Sequence, residues 1–85
     1  MSAKKMFEKY GYTLYDETDE IIIYCTDYDS EMQEDDQYIR FDKICKTIYS
    51  NKEICIKELE MINKQIEELG WNKWQMKIKM NYLQN

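Results

Sequence analysis

Residues 59–71, Leu59-Glu60-Met61-Ile62-Asn63-Lys64-Gln65-Ile66-Glu67-Glu68-Leu69-Gly70-Trp71, spell one amphipathic helix together with its stop. Leu59, Ile62, Ile66 and Leu69 recur at i, i+3, i+7 and i+10, with Met61 beside them. That spacing predicts one apolar stripe facing a core. Glu58, Glu60, Lys64, Glu67 and Glu68 are expected to cover the other face. Gly70 suits the left-handed C-terminal cap, and Trp71 the apolar residue that folds back onto the last turn. A striped helix must bury its stripe against another layer, so the fold turns on what precedes it.

What precedes it is strand-like. Ser2 can cap a short helix from about Ala3 to Tyr10, whose Met6, Phe7 and Tyr10 make one apolar face, and Gly11 stops it. Tyr12-Thr13-Leu14-Tyr15 is β-prone, Asp16 to Glu20 has turn composition, and Ile21-Ile22-Ile23-Tyr24-Cys25 is the best strand in the chain. Asp27 to Gln37 (DYDSEMQEDDQ) has no periodicity and is expected to be a loop. Tyr38-Ile39-Arg40-Phe41 resumes the sheet, Asp42-Lys43 makes a turn, and Ile44 to Tyr49 is expected as a further strand. Ile54-Cys55-Ile56 is either a last short strand or the start of the closing helix. After Trp71, Trp74, Met76, Ile78, Met80 and Tyr82 alternate with Gln75, Lys77, Lys79 and Asn81, a strand signal in which Leu83 also allows a helical face. The order implies an α+β fold: a small antiparallel sheet, an N-terminal helix, a closing C-terminal helix and a candidate final strand. At 85 residues this is one domain, 1–85, with a core over 1–71 and an amphipathic extension over 72–85.

Charge is distributed unevenly. Between Tyr10 and Ile39 stand ten carboxylates and no lysine or arginine: Asp16, Glu17, Asp19, Glu20, Asp27, Asp29, Glu31, Glu34, Asp35 and Asp36. The rest of the chain holds seven acids and all twelve bases, so the formal net charge of -5 hides a dipolar molecule. Such a field attracts basic partners or keeps a small domain soluble. Tyr10, Tyr12, Tyr15, Tyr24, Tyr28 and Tyr38 are interleaved with the acids, and tyrosine is enriched at interfaces.

The function classes narrow by elimination. With no histidine, the commonest general base and metal ligand is missing, and Ser-His or Cys-His nucleophile pairs cannot form. No glycine-rich phosphate loop occurs. Asp27, Asp29 and Glu31 match the first positions of a calcium loop, but Met32 stands where glycine is needed and Tyr38 where the bidentate glutamate belongs. No metal or cofactor is expected, and no catalytic residue. Cys25, Cys45 and Cys55 lack paired spacing and are expected to be reduced thiols packed as small hydrophobes, as in a cytoplasmic protein. No 18-residue apolar run exists to span a membrane, and MSAKKMFEKYG is not a signal peptide. Isoleucine, lysine, tyrosine and asparagine replace leucine, arginine and alanine, as an AT-rich genome would encode.

Two stretches, Ala3-Lys4-Lys5-Met6-Phe7-Glu8-Lys9-Tyr10-Gly11-Tyr12 and Leu59 to Trp71, resemble small phage and prophage proteins of low-GC Gram-positive bacteria. In that group a helix ending in Gly-Tyr leads into a small sheet, and a closing helix ends in Gly-Trp. The resemblance covers about a quarter of the chain and concerns caps and core faces, so it carries over no functional residue. This chain departs from the pattern in its long acidic loop and in the segment after Trp71. Small acidic phage proteins include inhibitors of bacterial defence, anti-CRISPR proteins among them. The chain is similar to these in size, charge and compositional origin alone.

The resulting expectation is a non-enzymatic inhibitor. Asp16, Glu17, Asp19, Glu20, Asp27, Tyr28, Asp29, Glu31, Glu34, Asp35 and Asp36 would form a partner-binding face that imitates a row of phosphates. That face would fill the basic groove of a host nucleic-acid-handling protein such as a CRISPR-Cas effector, without contacting nucleic acid or membrane. The alternative is a small structural or regulatory phage protein that works as a homodimer, with acids that only solvate it.

Overall fold

The computed structural model describes residues 1–26 and 36–71. Helix α1 (Ala3–Lys9) starts at Ser2, whose hydroxyl accepts from the Lys5 amide, and ends at Tyr10 before Gly11 turns the chain with φ of 99°. Strands β1 (Tyr12–Glu17), β2 (Ile21–Thr26), β3 (Tyr38–Asp42) and β4 (Thr47–Ser50) follow in chain order and pair antiparallel as β1-β2-β3-β4. Helix α2 (Ile56–Leu69) closes the fold, with Gly70 left-handed at φ 74° and Trp71 buried beyond it. The protein is thus a small α+β fold with an antiparallel sheet between two helices in sequence.

Both helices lie on the face of the sheet that carries Ile22 and Tyr24. The Phe7 ring stacks on Tyr24 with centroids 3.9 Å apart, and meets Tyr12 and Phe41 edge-on. Phe41 in turn touches Trp71 at 6.4 Å between centroids. Ile39, Met61, Ile62 and Ile66 complete the core. Alternation along β2 therefore sends Ile21, Ile23 and Cys25 to the opposite face. In register on that face run Asp16, Ile23, Arg40 and Tyr49, one from each strand. The Arg40 guanidinium lies 5.4 Å from the Tyr49 ring centre. Thr13, Cys25 and Tyr38 form the neighbouring row.

Several expectations change. The pairing of β1 shifts register between Leu14 and Asp16. This bulge turns Leu14 toward the core and Asp16 to the other face. Asp16 and Glu17 accordingly end a strand instead of opening a turn. The expected strand from Ile44 begins only at Thr47. The Asp42 carboxylate accepts from the Ile44 and Cys45 amides, both at 2.9 Å, and Lys46 adopts φ of 56°. This side-chain-stabilised turn outcompetes the apolar pattern and leaves Ile44 69% exposed. Ile54-Cys55-Ile56 is the start of α2, with Cys55 as its N-cap, and both isoleucines are exposed. Leu59 is only half-buried, and Glu58, expected outside, is buried. Cys25 is buried as expected, but Cys45 and Cys55 are exposed. The expectations for most of the loop 27–37 and for the segment 74–82 fall outside the described residues.

Candidate functional site

Of the sequence-predicted acidic face, the described residues are Asp16, Glu17, Asp19 and Glu20 at one end of the sheet and Asp36 at the other. Asp16 and Glu17 close β1, and Asp19 and Glu20 sit in the turn before Ile21; all four are exposed. Among the described residues none of the four enters an ion pair. The turn is held by its own hydroxyl: Thr18 Oγ1 accepts from the Glu20 and Ile21 amides at 3.0 and 3.1 Å. Lys43 ties it to the β3–β4 turn, donating through Nζ to the Thr18 carbonyl at 2.7 Å and through its amide to the Glu20 carbonyl at 2.8 Å. Adjacent strand residues point to opposite faces, so Asp16 and Glu17 diverge.

Asp36 belongs to the far end. It is half-buried, and its carbonyl accepts from the Asn51 amide group at 2.9 Å. Asn51 Oδ1 accepts in turn from the Tyr38 amide, which fixes the point where the chain returns to the sheet. Asp27, Tyr28, Asp29, Glu31, Glu34 and Asp35 lie outside the described residues, in the segment that leaves Thr26 and returns at Asp36. The strand between the two ends, β2, is six residues long, which separates them by about 17 Å at 3.4 Å per residue. The tyrosines expected to serve as contact area separate too. Tyr10 is exposed, Tyr15 and Tyr38 are half-buried, and Tyr12 and Tyr24 belong to the core.

The structure adds a polar network that sequence periodicity missed. Glu58 lies in the first turn of α2, 1% exposed. Its Oε1 accepts from the Cys55 amide at 3.0 Å, the carboxylate half of a capping box. Its Oε2 accepts from the Tyr12 hydroxyl and from Lys52 Nζ, with which it forms an ion pair. Burial alone would push this carboxyl up. The Cys55 amide, the Lys52 ammonium and the Tyr12 hydroxyl outweigh it and hold the group down at about 2. Tyr12 is correspondingly raised far above the ordinary phenol range, by burial first and then by its bond to Glu58. Two turns later the amide oxygen of buried Gln65 accepts from the Tyr24 hydroxyl at 2.7 Å. Each core tyrosine thus finds its acceptor on the same helix stripe. A sequence signal existed: Glu58 and Gln65 share a face with Met61, Ile62 and Ile66.

Tyr12, Lys52 and Glu58 line an open cleft of about 590 Å³ together with Tyr10, Thr26, Gln37 and Cys55 among others. The Tyr10 hydroxyl and the Cys55 thiol are 3.4 Å apart, and that bond raises the tyrosine further. Lys52 and Glu58 are committed to each other. Every buried polar side-chain atom among the described residues has a hydrogen-bond partner. Through Glu58 the network joins α2 to Tyr12 of β1 and to Lys52. Among the described residues no group of three or more acids and cysteines is placed to hold a metal ion. No described helix is long and apolar enough to cross a membrane.

No family model, no curated protein and no solved structure matches this chain.

Proposed function

We propose that this chain is a non-enzymatic, phage-type protein that acts in the host cytoplasm by binding and inhibiting a host protein through its acidic surface. The target class is a nucleic-acid-handling defence complex such as a CRISPR-Cas effector, whose basic groove normally receives phosphates. One observation carries the reading. Four exposed carboxylates crowd the β1–β2 turn, and among the described residues no cation pairs with them. Carboxylates gathered at one turn repel one another and give that end of the sheet a negative field that suits a basic partner.

The test is affinity capture from host lysate with three forms of the protein. One is wild type. One carries Asp16→Asn, Glu17→Gln, Asp19→Asn and Glu20→Gln. One carries Asp27→Asn, Asp29→Asn, Glu34→Gln, Asp35→Asn and Asp36→Asn. Wild type should retain a nucleic-acid-handling protein, and each neutralised form should retain at least tenfold less at low salt, with a flatter salt dependence. Equal retention by all three forms at low and moderate salt would reduce the acids to a solubility feature.

A further inference from the structure

The two edges of the sheet are unlike. β1, at one edge, carries the register shift between Leu14 and Asp16 and the carboxylates of Asp16 and Glu17. Bulges and edge charges keep a further strand from adding. β4, at the other edge, is Thr47-Ile48-Tyr49-Ser50, with no charge, no proline and no register shift in its pairing with β3. Among the described residues no strand pairs with its outer side.

The ladder fixes which backbone groups face outward there. The Thr26 amide donates to the Gln37 carbonyl and the Lys43 amide to the Glu20 carbonyl, so Ile39 and Phe41, which alternate between those positions, bond toward β2. The Asn51 amide donates to the Tyr38 carbonyl, so Tyr38, Arg40 and Asp42 bond toward β4. The same alternation turns Thr47 and Tyr49 inward to β3 and leaves the N–H and C=O of Ile48 and Ser50 pointing out. A cation lies beside them. Arg40 is exposed and has no ion pair among the described residues, and its guanidinium is 5.4 Å from the Tyr49 ring centre. Its side chain has thus crossed from β3 to β4, which leaves one strand spacing, about 4.8 Å, to an added strand.

We infer that the outer edge of β4 is a docking site for an extended, acidic segment of a partner protein, added as a fifth strand with a carboxylate opposite Tyr49. Charge complementarity selects this occupant. Arg40 and Lys46, which directly precedes β4, are exposed and unpaired among the described residues. Lys43 is held by the Thr18 carbonyl and Lys52 by Glu58. Asp42, opposite Thr47, directs its carboxylate at the Ile44 and Cys45 amides. A second copy pairing β4 with β4 would bring Arg40 and Lys46 of both chains to one seam, with no acid in either strand to offset them. Alternation sets the rest of the segment: apolar residues beside Ile48, which packs against the core, and acids on the face of Tyr49. Two outward residues supply few backbone bonds, so the charged anchor provides the selectivity. The acidic surface at the β1–β2 turn plays no part in this contact.

Amide hydrogen exchange and NMR of the full chain test the inference. In the free protein the Ile48 and Ser50 amides should exchange at least tenfold faster than the Tyr49 amide. The probe is the peptide acetyl-Thr-Val-Glu-Val-Glu-Val-Thr-amide, with a twin that carries lysine in place of both glutamates. At about 1 mM, the range of a weak contact, the glutamate peptide should shift and protect the Ile48 and Ser50 amides. The lysine twin should do so at least fivefold more weakly at low salt. Arg40→Gln should erase that preference, and Arg40→Glu should reverse it, a gain of binding that an unfolded variant cannot produce. The inference is overturned if the Ile48 and Ser50 amides of the free protein are as protected as that of Tyr49, which would mean that this chain or a second copy already fills the edge. It is equally overturned if neither peptide shifts those amides, or if both bind alike.

Discussion

Glu58 is a carboxylate in the core, and its charge is kept there by three donors: the Cys55 amide, the Tyr12 hydroxyl and the Lys52 ammonium. Its folded-state value near 2 lies below the ordinary 4.5, a gap worth about 3 kcal/mol. Because the folded value is the lower one, this stabilisation is complete above about pH 5 and is lost as the pH falls toward 2. We expect Glu58→Gln to lower stability at pH 7 by about 3 kcal/mol and to flatten the dependence of stability on pH between 5 and 2. Urea denaturation of both proteins across that range is the measurement. Parallel curves for the two would show that another carboxylate governs acid unfolding. This residue was hidden in the sequence because glutamate on a helix is ordinarily assigned to the solvent side. Two core tyrosines that need acceptors were the missing premise. The acids at 16, 17, 19 and 20 were easier to place, since a turn-rich, charged run has little choice but the surface.

At the scale of elements, patterns with many repeats were the most legible. Ile62 and Ile66 of the α2 stripe and the Gly70-Trp71 stop fold as their spacing predicts, and Ser2 and Gly11 bound α1 as expected. The failures share a cause: a local hydrogen bond decided against the apolar pattern. Asp42 captures two amides and delays β4 to Thr47, and the Cys55–Glu58 bond begins α2 where a strand was an option. Periodicity also blurs rank within a stripe. Ile62 is 5% exposed and sits in the core cluster, whereas Leu59 is half-buried and outside it. Ile62→Ala should therefore cost about 2–4 kcal/mol, and Leu59→Ala less than half as much. Thermal or urea unfolding of the pair decides this, and equal losses would mean that α2 is rotated relative to the sheet.

For the whole molecule, the length of β2 sets the four acids of the β1–β2 turn about 17 Å from Asp36, although all five belong to one run of ten acids in the sequence. That separation was legible in the sequence, where Ile21 to Cys25 reads as a strand between a turn at Asp16–Glu20 and a loop from Asp27. A pair of exposed carboxylates repels by roughly 0.5 kcal/mol in water at a separation of about 8 Å, and at the β1–β2 end the Lys43 ammonium on the Thr18 carbonyl offsets part of any such repulsion. Neutralising Asp16, Glu17, Asp19 and Glu20 together should raise unfolding stability by up to about 1 kcal/mol at low salt. The gain should shrink steadily with ionic strength and vanish near 1 M, where the screening length falls to about 3 Å. Stability measured against salt for wild type and the neutralised form tests it. A gain that persists at high salt would trace to improved turn propensity in the new side chains. A loss of stability would mean that these carboxylates take part in holding the turn, and that the turn's charge serves the fold before it serves any partner.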